Sequence, residues 1–125
     1  MEYEIKLSES RSYVIVKVFN NMTTEKGQVT AIESKKLADQ HNLKKYLYDV
    51  RNAPNVESAA SNYNFAYKGM PKLGDERQTK VALLTSPGDE THDFLVTVMT
   101  NAGYNVKIFT KETEAVTWLD SKSSH

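Results

Sequence analysis

Apolar and polar residues alternate along Tyr3-Glu4-Ile5-Lys6-Leu7, the period of a strand with one buried face. The β-branched and aromatic run from Tyr13 to Phe19 reads as a second strand. Only Ser8 to Ser12 lie between them, so an antiparallel hairpin is expected. Thr23 or Thr24 then caps a helix with Glu25 in its first turn. That helix extends to about Gln40, with Val29, Ile32 and Leu37 as its apolar arc.

The pattern changes period again at Tyr46 to Val50, a third strand, and a helix from about Ser58 to Gly69 follows. A loose connection, Pro71 to Glu76, leads to a fourth strand at Lys80 to Thr85. Ser86-Pro87-Gly88-Asp89 reads as a turn that also supplies a helix cap. The next helix, about Glu90 to Ala102, places Phe94, Leu95, Val98, Met99 and Ala102 on one stripe, and Gly103 suits the left-handed position that ends it. A fifth strand, Asn105 to Phe109, precedes a short helix capped by Thr110 and anchored to the sheet by Trp118.

The order β-β-α-β-α-β-α-β-α predicts a single α/β domain. Its sheet is mixed and open, of about five strands, antiparallel at the first hairpin, parallel elsewhere and covered by helices. Residues 1–120 form this domain and 121–125 a polar tail expected to fray.

Composition narrows the function classes. Sixteen basic and sixteen acidic residues cancel, whereas a nucleic-acid binder carries a basic excess, so no nucleic-acid partner is expected. Lys35-Lys36 and Lys44-Lys45 read as solvated positions. No apolar run approaches the roughly 20 residues of a membrane span, and no secretory pattern opens the chain, so the cytoplasm is the expected compartment. Cysteine is absent, which removes disulfides and thiolate chemistry. His41, His92 and His125 show no metal-ligand spacing, and no metal or cofactor is expected. Ser86, Asp89 and His92 lack the strand-turn-helix elbow of a catalytic triad. No enzymatic constellation is visible.

The most informative segment is Lys45-Tyr46-Leu47-Tyr48-Asp49-Val50-Arg51, with the Asn52-Ala53-Pro54-Asn55 loop and Ser58 after it. Ligands and partners of open α/β sheets are met at such strand-to-helix crossings. Asp49 and Arg51 read as a loop-stabilising pair, or Arg51 as an anion contact beside a helix N-terminus, and Asp49, Arg51, Asn52, Ser58 and Phe65 are the candidate interaction or ligand residues. Ser58 reads as a helix N-cap or as a phosphorylation site. At roughly 100° per residue, Ala59, Ala60, Tyr63, Ala66, Tyr67 and Met70 gather on one helix face. That face is expected to be core, or to line a pocket with Tyr63, Tyr67 and Met70. Phe65 falls opposite, in line with Ser58, as part of a partner patch or tucked beneath the 71–76 connection.

Several segments, taken in order, resemble the SpoIIAA-like branch of the STAS domains, relatives of the bacterial anti-sigma-factor antagonists. They are Thr24-Glu25, Leu47 to Arg51, Tyr63 to Tyr67, Val81 to Leu84, His92-Asp93-Phe94, Asn101-Ala102-Gly103, Val106 to Phe109 and Ala115 to Leu119. The resemblance spans about Tyr3 to Leu119 and implies a generally non-enzymatic regulatory or protein-interaction module. In the antagonists, a strand ending in Asp is followed nine positions later by a phosphorylatable serine facing a kinase, which maps here from Asp49 to Ser58. Those relatives continue with Ser-Gly, where this chain has Ala59-Ala60. The implied partner is kinase-like, or a second copy in a homodimer. Likeness in fold to the CRAL-TRIO domains implies the alternative of a small lipid-like ligand held under the 58–70 helix.

Overall fold

The computed structural model describes residues 2–73 and 78–121. Strands β1 (Tyr3–Leu7), β2 (Val14–Val18), β3 (Lys45–Asp49), β4 (Lys80–Leu84) and β5 (Asn105–Phe109) lie side by side in chain order. β1 runs antiparallel to β2, with Tyr3 opposite Val18 and Leu7 opposite Val14. The other three pairings are parallel. Helices α1 (Thr24–Gln40), α2 (Ala59–Asn64), α3 (Asp93–Asn101) and α4 (Glu112–Asp120) complete the expected order. α2 continues as a π-helical segment, Phe65–Gly69, and a 3-10 turn, Met70–Leu73.

Sequential parallel neighbours joined by right-handed crossovers carry their connecting helices to one face of the sheet. Accordingly α1, α2 with its π-helical extension, and α3 pack together. They cover the face built from Val14, Val16, Val18, Tyr46, Val50 and Leu83. α4 follows the last strand and covers the other face, where Ala115 and Leu119 meet Leu47, Ala82 and Leu84. The Lys80 side chain, itself buried, reaches past the end of α4. Its Nζ donates to the carbonyls of Trp118 at 2.9 Å and Ser121 at 2.8 Å, and to Ser121 Oγ at 3.0 Å. A cation there adds to the bond that the Trp118 carbonyl accepts from the Ser121 N–H and opposes the negative end of the helix dipole.

Helix α1 turns a different face inward than its apolar arc suggested. Gly27, Thr30, Ser34 and Ala38 are buried, while Val29 and Ile32 stay about 40% exposed. Small residues at this spacing let the helix approach closely. A Cβ on Gly27 would sit 3.2 Å from the Phe65 ring. The two hydroxyls are satisfied locally, Thr30 Oγ1 donating to the Lys26 carbonyl at 2.7 Å and Ser34 Oγ to the Ala31 carbonyl at 3.3 Å.

Three smaller expectations also change. Asp89 holds the turn by accepting from Thr91 instead of capping α3, which starts at Asp93. Phe94 is 46% exposed at that helix's first turn. α4 starts at Glu112, with Lys111 and not Thr110 in the cap position. Thr23 caps α1 through Lys26 N–H, and Gly103 adopts φ 99° as its position after α3 requires. The connection expected at 71–76 lies partly, and the tail at 122–125 wholly, outside the described residues.

Candidate functional site

The carboxyl end of β3 is organised by its own charged pair. Asp49 is 9% exposed and accepts from the Arg51 backbone N–H at 3.2 Å, from Nε at 3.0 Å and from Nη2 at 2.7 Å. Burial alone would raise the Asp49 carboxyl, but the Arg51 hydrogen bonds and charge hold it below the ordinary carboxylate range. Arg51 also lies 3.6 Å from Glu112, and its carbonyl accepts from Ser86 Oγ at 2.6 Å. The guanidinium is thereby committed to two carboxylates. Asn52 is exposed in the turn that follows.

Beyond the strand ends, the loops are stitched together. Met22 N–H donates to the Pro54 carbonyl at 2.8 Å, and Val56 N–H to the Met22 carbonyl at 3.1 Å. Asn55 is the hub. Its N–H donates to Thr91 Oγ1 at 2.9 Å, its Oδ1 accepts from Glu57 N–H at 2.9 Å, and its Nδ2 donates to Asn62 Oδ1 at 3.0 Å. Glu57 in turn accepts from Thr24 N–H at 3.1 Å, placing a carboxylate at the N-terminus of α1. Ser58 is the N-cap of α2. Its exposed Oγ accepts from Ser61 N–H at 3.1 Å and donates to Ser61 Oγ at 3.1 Å.

The helix after Ser58 is turned relative to its sequence projection. Asn62, Ala66 and Met70 face inward. Tyr63 and Tyr67 are 51% and 41% exposed, their rings in contact with centroids 4.7 Å apart and planes tilted by 35°. Phe65, expected on the outer side, is half-buried against Gly27 and Gly69. Two physical causes combine. A polar residue, Asn62, occupies the inward face because Asn55 meets it there, so hydrophobicity alone selects the wrong side. The wider π turn then departs from 100° per residue, shifting the positions after Asn64.

Between these three helices and the sheet lies a cavity of about 100 Å³. Met70 and Phe65 line it, along with Gly27, Leu83, Val96 and Val106, while Tyr63 and Tyr67 do not. Tyr48, also in its wall, places its hydroxyl 3.3 Å from Thr30 Oγ1, and burial raises its pKa. The residues that sequence reasoning missed are His92, Asn55 and Asn62. His92 is 1% exposed, lines the cavity, and sets Nε2 3.0 Å from the Ala53 carbonyl and 3.9 Å from Asp89. Burial pushes the imidazole below its ordinary pKa, against the opposing pull of the Ala53 carbonyl and of Asp89 and Asp93. Ser86 bonds instead to Arg51, so these three side chains form no triad. The only hint in the sequence was a histidine amid apolar positions.

Among the described residues, no three His, Asp or Glu side chains gather in a metal-binding group, and no helix is long and apolar enough to cross a membrane. No protein-family profile and no curated protein matches this chain. A crystal structure of an uncharacterised DUF3478-family protein from Shewanella loihica PV-4, described as having a SpoIIAA-like fold, superposes on it with a TM-score of 0.56. The two are 19% identical over 94% of this chain and 91% of that one. With its hairpin-started mixed sheet, three helices on one face and a fourth on the other, this chain has a SpoIIAA-like fold.

Proposed function

We propose that the protein is a non-catalytic interaction module that meets a protein partner through the outer face of segment 56–67. The observation that carries this reading is the exposed pair Tyr63 and Tyr67, in contact with ring centroids 4.7 Å apart on the helix that follows β3. Val56, 56% exposed in the loop before the same helix, adds apolar surface to the segment. Aromatic side chains with polar tips are the residues most enriched at protein interfaces, because they bury large area at low conformational cost. The formal net charge of zero favours a protein surface over a phosphate backbone. Ser58 opens this helix with an exposed hydroxyl, where a phosphate would add up to about two negative charges beside the aromatic pair.

The test compares the wild type with Tyr63→Ser/Tyr67→Ser. Sedimentation velocity over a concentration series reads self-association, and quantitative capture from a lysate of the native cells reads other partners. At least a ten-fold loss of one specific association, with the melting temperature unchanged, is expected. Identical sedimentation and capture for both proteins would remove the aromatic face from the mechanism.

A further inference from the structure

The cavity under α1, α2 and α3 holds two buried polar atoms that find no protein partner among the described residues. The first is on His92. Its Nε2 lies 3.0 Å from a carbonyl oxygen, which only accepts, so Nε2 carries the proton. Burial keeps the ring neutral, which leaves Nδ1 as a lone-pair acceptor. The second is Asn62 Nδ2. The side-chain oxygen accepts from Asn55 and the backbone N–H donates to the Ser58 carbonyl, but Nδ2 of this residue, which is 4% exposed, donates to nothing among the described residues. Both residues line the cavity, His92 from the cap position of α3 and Asn62 from within α2. The remaining polar lining is engaged: Thr23 caps α1, Thr24 bonds Glu57, Ser34 bonds Ala31, and Asn55 is bonded on three sides. Lys35, the one charged lining residue among those described, is held by Asp39 at 2.8 Å. Most of the remaining wall is aliphatic, aromatic or thioether.

From this pairing we infer that the cavity is a binding site for a small uncharged molecule, an apolar ring or short chain bearing one hydroxyl or primary amide. Such a group both donates and accepts, matching His92 Nδ1 and Asn62 Nδ2 in kind. Leaving a buried donor and acceptor unpaired is costly, and a ligand that supplies both recovers that cost on binding. An ionised ligand finds no free counter-charge in the lining and would lose its hydration. Size sets the upper bound. An apolar cavity of about 150 Å³ accepts benzene, so the occupant at about 100 Å³ is of single-ring scale.

The experiment titrates the full chain with phenol, toluene and benzoate, following backbone amide shifts of the lining residues Leu83, Val96 and Val106. Phenol is expected to saturate these shifts at least ten-fold more tightly than toluene, and benzoate to give none. His92→Leu removes the Nδ1 acceptor, together with the donor to the Ala53 carbonyl, and puts no other acceptor in its place; it is expected to bring phenol within about two-fold of toluene. Ala31→Leu extends a lining residue of α1 into the space and is expected to abolish binding of both, at an unchanged or higher melting temperature. Toluene or benzoate binding as tightly as phenol overturns the ligand class. Absence of saturable shifts, or binding undiminished by Ala31→Leu, overturns the site. If His92→Leu does not fold, the phenol-to-toluene ratio of the wild type still decides the polar claim.

Discussion

His92 shows how one buried side chain couples the fold to pH. In the unfolded chain a histidine titrates near about 6.5. In the folded protein burial holds it lower, against the Ala53 carbonyl and the two nearby aspartates. Between those two values the unfolded chain binds a proton that the folded one refuses, so stability falls as pH drops below about 6.5. Asp49 and Asp89 are shifted down as carboxylates, so their contribution disappears only below about pH 4, a separate window. The melting temperature is therefore expected to decline between pH 7.5 and 5, with a flatter profile in His92→Gln. Parallel profiles for the two proteins would show that another group is responsible.

At the scale of elements, α1 separates hydrophobicity from burial. Of its bulky apolar residues only Leu37 packs against the core, half-buried, while Val29 and Ile32 stay exposed and the fully buried face is Gly27, Thr30, Ser34 and Ala38. Ala38 packs against Val14 and Tyr46 with no accessible surface. Val29→Gln and Ile32→Gln, exposed substitutions by a good helix former, are expected to change stability by about 0.5 kcal/mol or less each. Ala38→Leu, which forces extra methylenes between helix and sheet, is expected to cost about 1–3 kcal/mol. Urea midpoints decide between the two faces. A large loss from the glutamine variants with a mild effect at Ala38 would mean that the helix is rotated from its position here. The helix after Ser58 repeats the lesson, because Asn62 and not a tyrosine occupies its inward face.

For the molecule as a whole, the two sheet faces are unequally covered. Three helices enclose one face and its cavity, whereas α4 covers the other. Lys80 links β4 to the end of α4 through three donated hydrogen bonds, and its Nζ lies 5.2 Å from the Trp118 ring centroid. Lys80→Met keeps the apolar stem but leaves the end of α4 without its cation, and is expected to cost about 2 kcal/mol, the scale of hydrogen bonds to a charged group. Trp118 is the sole tryptophan, so its fluorescence reports this face directly. The variant is expected to lower the urea midpoint and shift native emission to the red. An unaltered midpoint would show that solvent replaces Lys80 at no cost.

The alternation at Tyr3 to Leu7, the β-branched run after it, Thr23 before α1 and Gly103 after α3 were each sufficient to place an element, because period, cap chemistry and φ are local properties of the chain. The order of those elements then dictated the mixed sheet and the side taken by three of the helices, since crossover handedness is nearly invariant. Within the candidate site, Asp49–Arg51 and the Ser58 cap were legible for the same reason, each being satisfied by partners two or three residues away. What only the tertiary structure decided was which helix face turns inward and which polar groups go with it. Asn55 meets Asn62, His92 meets Ala53 across 39 residues, and Lys80 meets the end of α4. Such pairings make polar residues suitable for the interior, and a hydrophobic pattern cannot register them, because the energy belongs to the contact and not to either residue alone.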